Sequence, residues 1–354
     1  MVGNVLHNPI HKKIKTSINT QMSQKRIEFI DLAKGICIIL IILGHCSLQF
    51  SIPGLTEFVM PAFFVLSGLF FKEYKDSKTF FVKKTNGIFV PFLFFYLTAY
   101  IVFYTLKFYA PQLLVTHAEG ITDLFDNRQY FNGPIWFLIS LFWSNIYLYI
   151  INRTVKKDYL RIAIVIFIGF IGWLLGQKGI IAPMFMDVAL TTLPFFATGY
   201  YLKKTALIYP NKCDKYNLLF IIALWVPAFL LSQYTYIRIS FHYNIIEGTF
   251  TYLASLIGTL LIVLICKRIK SLPFISYCGR YSLVLLCVHH MIYRPLMVLL
   301  PKTGIELLCN NWSIAIITLL LSALCIPVCK KLIPWFVAQK DLIKLPQKRE
   351  KNVN

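Results

Sequence analysis

DLAKGICIILIILGH, residues 31–45, is an apolar run that carries a lysine and a histidine, Lys34 and His45, with ten residues between them. Read as a helix, the eleven steps from Lys34 to His45 span roughly 16 Å along the axis. Lys34 then lies near one face of a membrane and His45 well inside it. Ionisable groups within a membrane segment are costly, so each marks a candidate functional site. The residues alone leave a plainer reading open, in which Lys34 snorkels to a head group and His45 bonds a neighbouring helix.

Outward from this run the same composition continues. Hydrophobic residues make up 57% of the 354-residue chain and charged residues 14%. Runs long enough to span a hydrocarbon core recur along its whole length. Ten spans are expected, at about 28–50, 56–72, 87–108, 133–152, 160–176, 185–202, 216–234, 246–266, 276–298 and 312–333. No long soluble segment remains between them. The fold class is therefore an all-α integral membrane bundle of about ten helices, with one membrane domain over 26–338. A polar basic arm (1–25) and a basic tail (339–354) flank it; both are expected to be poorly ordered and to carry lysines suited to anionic head groups.

The formal net charge is +21. In a soluble protein this would suggest a nucleic-acid partner; here the loops account for it, and no nucleic acid is expected. With the N-terminus cytoplasmic, 30 of the 36 Lys and Arg fall on the cytoplasmic side. The exceptions are Lys107, Arg128, Lys178, Arg238, Arg294 and Lys302. This positive-inside bias supports an even number of spans with both termini cytoplasmic. The first run contains Lys34 and His45 and is followed by no small-x-small cleavage site, so it reads as a retained helix rather than a signal peptide. Of the nine cysteines, Cys37, Cys46, Cys266, Cys278, Cys287, Cys325 and Cys329 lie in or near apolar runs, where cysteine acts as a small hydrophobe. Cys309 has only buried candidates for pairing, and no structural disulfide is expected. Cys325 and Cys329 lack His or acidic partners for a metal.

The longest external loop, about 109–132, carries His117, Glu119, Asp123, Asp126, Arg128 and Tyr130; its acids read mostly as a solvated surface. The second span opens with Met60-Pro61 and closes with the small pair Ser67-Gly68, which suits close helix contact. A phosphate-cradling P-loop, a nucleophile elbow and a paired-histidine zinc motif are all missing.

Four stretches, DLAKGICIILIILGH, MPAFFVLSGLFF, GPIWFLISLFW and GRYSLVLLCVHH, occur in an order and spacing that resembles the acyltransferase 3 family of integral membrane O-acyltransferases. The resemblance runs from about Arg26 to about Trp335. It implies transfer of an acyl group, most often acetyl, from a cytoplasmic acyl-CoA to a hydroxyl of an extracytoplasmic or membrane-bound glycan, in a multi-pass protein of the bacterial inner membrane. No metal is implied. The family's basic residue and histidine fall on Lys34 and His45, and the family histidine is regarded as catalytic.

Chemistry agrees with that role. A sugar hydroxyl must lose its proton as it attacks a thioester, and a histidine can take that proton and return it. Lys34 at the cytoplasmic edge suits the phosphates of coenzyme A, with the pantetheine arm carrying the thioester inward. Asp31, three residues earlier, either pairs with Lys34 or favours the helix N-terminus. The family's paired basic residues before a proline fall near Lys83 and Lys84, ahead of Pro91, where Asn86 replaces a second basic residue. Lys83 and Lys84 either hold the donor or only enforce topology. Trp136 either stacks on an acceptor sugar or anchors at the interface. His289 lies where the family motif places a histidine. Counting along the helices puts His289 roughly 21 Å from Ile275 and His45 roughly 27 Å from Ile27, so the two meet if their helices pack. His290 points about 100° away from His289 on an ideal helix, towards packing or the membrane interface. Arg294 suits an acidic glycan or a head group. Glu57, Asp187 and Glu247 are the acids available to orient His45.

Three functions remain on this reading. One is a membrane O-acetyltransferase, with His45 and His289 catalytic, Lys34, Lys83 and Lys84 on the donor, and Trp136 and Arg294 on the acceptor. The second is a transporter or flippase for a lipid-linked sugar, against which stands the lack of an internal repeat. The third is a non-catalytic scaffold or sensor. The acceptor, the acyl group and the oligomeric state are not encoded in any motif.

Overall fold

The computed structural model describes residues 27–46, 58–74, 76–114, 118–126, 129–205, 217–234, 238–247, 251–305, 307 and 310–345. Expectations for the arm 1–25, for Glu57, His117, Arg128 and Cys309, and for the tail beyond 345 concern residues outside these.

In chain order, α1 (Glu28–His45) and the short α2 (Val59–Gly68) are followed by α3 (Ser77–Lys84), which runs through a π-helical turn (Thr85–Phe89) into α4 (Val90–Tyr109). α5 (Asp123–Asp126) is one turn in the following loop, and a 3-10 turn (Gly133–Ile135) leads into α6 (Trp136–Thr154). Then come α7 (Asp158–Gln177), α8 (Met186–Leu202), α9 (Asn217–Tyr234), a hairpin of β1 (Arg238–Ser240) and β2 (Ile245–Glu247), α10 (Thr251–Ile269), α11 (Pro273–Arg280), α12 (Ser282–Leu299) and α13 (Asn311–Leu332). Each of the ten expected stretches thus holds a helix.

Among the described residues, six helical stretches are long and apolar enough to cross a membrane: Ser77–Tyr109, Gly133–Thr154, Asp158–Gln177, Thr251–Ile269, Ser282–Thr303 and Asn311–Leu332. α1 falls outside that set because Glu28, Asp31 and Lys34 load its first two turns. α2 has 10 residues and α8 has 17, short for a 30 Å core.

α1 is the centre of the bundle, packed by α2, α10, α11, α12 and α13. Its closest partner is α11, which the sequence reading had joined to the ninth span. The chain instead breaks at Tyr281, and α11 lies against α1 as a separate helix. Gly35 and Gly279 explain the contact: a methyl at Gly35 would overlap the Ile275 carbonyl, and one at Gly279 would overlap the Asp31 carbonyl. Backbones this close require glycine. A second such crossing joins α2 to α8 through Gly68 and Gly199.

The π turn before α4 has a local cause. Pro91 has no N–H, and its ring would strike the carbonyl four residues back in a regular helix. The ladder widens, so that the Val90 N–H bonds Thr85, five residues back. The last segment of the chain docks beside this turn. Asn86 accepts from the Leu342 N–H at 3.0 Å and the Ile343 N–H at 2.9 Å, and donates to the Ile343 carbonyl at 2.8 Å. Phe336 stacks on Phe94 with centroids 4.1 Å apart. The tail was expected to loosen after about Gln339; instead it is held through Ile343.

Two further differences follow from burial. Asp123, read as part of a solvated loop, is buried. It accepts from the Tyr100 hydroxyl and from the backbone N–H groups of Glu119 and Gly120, and Tyr96 holds the Ile121 carbonyl. Residues 246 and 247, expected to begin the eighth span, belong to β2 instead, with Ile246 opposite Ile239. Asn244, in the left-handed region at φ 55°, donates to the Gly172 carbonyl and to the buried Asp187 carboxylate. Asp187 therefore seats the hairpin on α7 and α8.

Candidate active site

The sequence pattern of α1 places Lys34, Ile38, Ile41 and His45 along one stripe, at helical spacings of four, three and four. A cavity of about 160 Å³ follows this stripe from Lys34 past Ile38 and Ile41. Its opposite wall is α12, through Ser282, Leu283 and Leu286, and α6 closes it with Phe137. Ile41 lies one turn before His45, and Leu286 lies one turn before His289 and His290. The cavity is thus an apolar pocket with an ammonium at one end, and its lining stops one helical turn short of the imidazoles.

At the Lys34 end, the ammonium sits 4.2 Å from the Phe70 ring centroid. Lys84 lies over the adjacent Phe71 ring at 5.4 Å. Both cations therefore collect around one Phe-Phe pair, a favourable arrangement for each. Lys83 points elsewhere: its ammonium is 2.6 Å from Asp341 of the docked tail. Of the three lysines expected at a donor site, the structure brings Lys34 and Lys84 to neighbouring rings and gives Lys83 to the tail. Asp31 faces Arg280 at 3.8 Å, across the α1–α11 crossing.

At the other end, three imidazoles meet. The His45 ring centroid is 5.4 Å from His289 and 5.4 Å from His290, and those two are 6.1 Å apart. His45, at the end of α1, is the exposed member, while His289 and His290 are buried. Among the described residues no three His, Cys, Asp or Glu side chains are arranged to hold a metal ion. Arg294, one turn beyond His290, donates from Nε to His290 Nε2 at 3.4 Å and lies over the Phe131 ring at 5.6 Å.

His290, expected to face packing or the interface, is buried. Its direction differs from that of His289, yet the three rings stand at the corners of a near-equilateral triangle, so His45 faces both. The loop before α6, where Asn132 and Gly133 mark a loop–helix boundary in the sequence, completes the arrangement. Asn132 donates to the Cys287 carbonyl at 2.8 Å, and Gly133 lies against the His290 ring. The consecutive histidines 289 and 290 and the Asn-Gly-Pro turn were the available signals.

Trp136 does not stand open for stacking. It is buried, with Phe185 at 5.8 Å and His242 at 6.1 Å between ring centroids. Phe185 and its neighbour Met184 both sit in the left-handed region, at φ 55° and 53°. Each such residue costs roughly 1–2 kcal/mol, strain that tends to gather at functional sites. Here it turns Phe185 against both Trp136 and Tyr130.

Neither the curated proteins nor the solved structures contain a significant match to this chain. The family comparison does: residues 27–330 match the acyltransferase 3 model, described as an acyltransferase domain. That range takes in α1 with Lys34 and His45, the π turn, the Asn-Gly-Pro-Ile-Trp stretch and α12 with its histidines. The chain belongs to the acyltransferase 3 family and is a multi-pass membrane acyltransferase.

Proposed function

We propose that this protein is a membrane O-acetyltransferase that moves an acetyl or other short acyl group from cytoplasmic acyl-CoA to a hydroxyl of a cell-envelope or exported glycan. It does so in a bundle of ten spans with both termini cytoplasmic, in the bacterial inner membrane. What supports this reading is the apolar cavity that begins at Lys34 and whose lining stops one helical turn short of the three clustered histidines. Lys34 and Lys84 are the cations for the donor phosphates, with Lys83 beside them fastening the tail. Lys34 and His45 are separated by roughly 16 Å along α1, a span comparable to an extended pantetheine arm.

In this reading the thioester reaches the histidines and the acceptor hydroxyl approaches from the outer side, past Arg294 and the Trp136 wall. His45, the exposed imidazole, takes the hydroxyl proton as the new C–O bond forms and returns it to the departing thiolate. Holding thioester and hydroxyl together supplies much of the rate. The apolar lining excludes water that would hydrolyse the donor.

Transfer of label from [14C]acetyl-CoA to glycan in inverted membrane vesicles of the native host tests this. Wild-type protein transfers label, and Lys34→Ala raises the KM for acetyl-CoA. A transporter of lipid-linked sugar would move labelled sugar across the vesicle without consuming acetyl-CoA, and that result would overturn the reading.

A further inference from the structure

His289 and His290 are adjacent in sequence, yet the hydrogen bonds around them demand different roles. His289 Nδ1 lies 2.8 Å from the Leu285 carbonyl oxygen. A carbonyl oxygen only accepts, so Nδ1 carries the proton of the neutral ring and Nε2 carries the lone pair. His290 Nε2 lies 3.4 Å from Arg294 Nε. A guanidinium N–H only donates, so His290 Nε2 is the acceptor and its proton sits on Nδ1.

The two remaining ring nitrogens, His289 Nε2 and His290 Nδ1, are buried and make no hydrogen bond among the described residues. His289 is fully buried and His290 is 8% exposed. One is a lone pair awaiting a donor, the other an N–H awaiting an acceptor. Buried polar groups left in this state are costly and call for a partner. The Phe131 carbonyl interacts with the His290 ring without completing that bond. On the Nδ1 side stands Gly133, where a Cβ would come to 3.6 Å from Cε1 and 4.0 Å from Nδ1, so the missing side chain leaves methyl-sized space beside the ring.

We infer that His290, backed by Arg294, is the oxyanion donor of the acyl-transfer site. This rests on the acyltransferase reading above. As the acceptor hydroxyl attacks the thioester carbon, the C–O bond forms and the carbonyl π pair moves to oxygen. The His290 Nδ1–H hydrogen-bonds that oxygen while the hydroxyl proton passes to His45. Collapse restores the C=O and breaks the C–S bond, and the departing thiolate takes the proton from His45, leaving as the thiol. The Arg294 N–H on Nε2 keeps the His290 proton on Nδ1, aimed at the charge, and a preset donor of this kind costs no reorganisation during the reaction.

Three variants separate this from a packing role. In asparagine the amide N–H stands close to the place of histidine Nδ1, and in glutamine closer to that of Nε2. With [14C]acetyl-CoA and host membrane vesicles, His290→Ala and His290→Gln lose about a hundredfold or more in kcat at little change in donor KM, the usual cost of removing one oxyanion donor. His290→Asn stays within about tenfold of wild type. Wild type active with His290→Ala equally active overturns the inference alone, as does His290→Asn as slow as His290→Ala at equal thermal stability. Wild type inactive with acetyl-CoA and with other short acyl-CoA donors overturns the proposed glycan O-acylation and the inference with it. Nitrogen-15 NMR of histidine-labelled protein in bilayers gives an independent readout: His290 shows the Nδ1–H tautomer, and an Nε2–H tautomer would refute the assignment.

Discussion

Asn86→Ala isolates the contact that ties the chain's end to the π turn. Asn86 is 2% exposed and spends its whole amide on the tail: two accepted bonds, from Leu342 and Ile343, and one donated to Ile343. At about 1 kcal/mol for each net hydrogen bond, the three together stabilise the docked tail by about 3 kcal/mol, or about 150-fold in its docking equilibrium. The neighbouring Lys83–Asp341 pair is different. Its side chains are 40% and 46% exposed, and a pair so open to water is worth about 0–1 kcal/mol. Hydrogen–deuterium exchange of the 339–345 peptide, followed by mass spectrometry in detergent micelles, reads the difference. Asn86→Ala speeds exchange at Leu342 and Ile343 by about a hundredfold, and Lys83→Ala by less than about fivefold. Unchanged protection in Asn86→Ala, or an equal effect from Lys83→Ala, would refute the reasoning. Gly87 and Ile88, the next residues, line the cavity, so the same variant is expected to raise donor KM with little effect on kcat.

Three other outcomes follow from particular contacts. Gly279→Ala forces a methyl against the Asp31 carbonyl; the overpacking costs about 1–3 kcal/mol and lowers the melting temperature of the detergent-solubilised protein. Asp123→Ala strands the Tyr100 hydroxyl and two backbone N–H groups; a loss of about 1–3 kcal/mol appears as faster exchange confined to residues 118–126. The Thr79 N–H on Asp76 holds that carboxyl below the usual carboxylate range. Its capping contribution is therefore complete above that range and is lost as pH falls through its lowered value, so amide exchange at Thr79, corrected for intrinsic rate, rises on acidification in wild type and not in Asp76→Ala.

Much of the helix pattern was legible because membrane helices announce themselves by length and apolarity. The Lys34–His45 spacing was legible for a related reason: ionisable residues are rare inside apolar helices and stand out. The break at Tyr281 was hidden because α11 and α12 follow one another with only Tyr281 between them, and only the crossing at Gly35 and Gly279 shows why the chain turns there. His290 was set aside by helical geometry alone, which says where a side chain points but not what stands between it and its neighbour. Asn86 meets a partner 257 residues away, and no local pattern reports such a contact. Asp123 left a fainter trace in Tyr96 and Tyr100, one turn apart, whose hydroxyls both need partners when buried. The three-residue strands β1 and β2 are too short for an alternating pattern to register.

The central claim is that His45 performs acyl transfer onto an envelope glycan. The most direct measurement is the O-acyl content of glycan purified from a deletion strain complemented with wild type or with His45→Ala. The account predicts an O-acetyl signal restored by wild type and absent with His45→Ala at equal protein level. Full restoration by His45→Ala would contradict it.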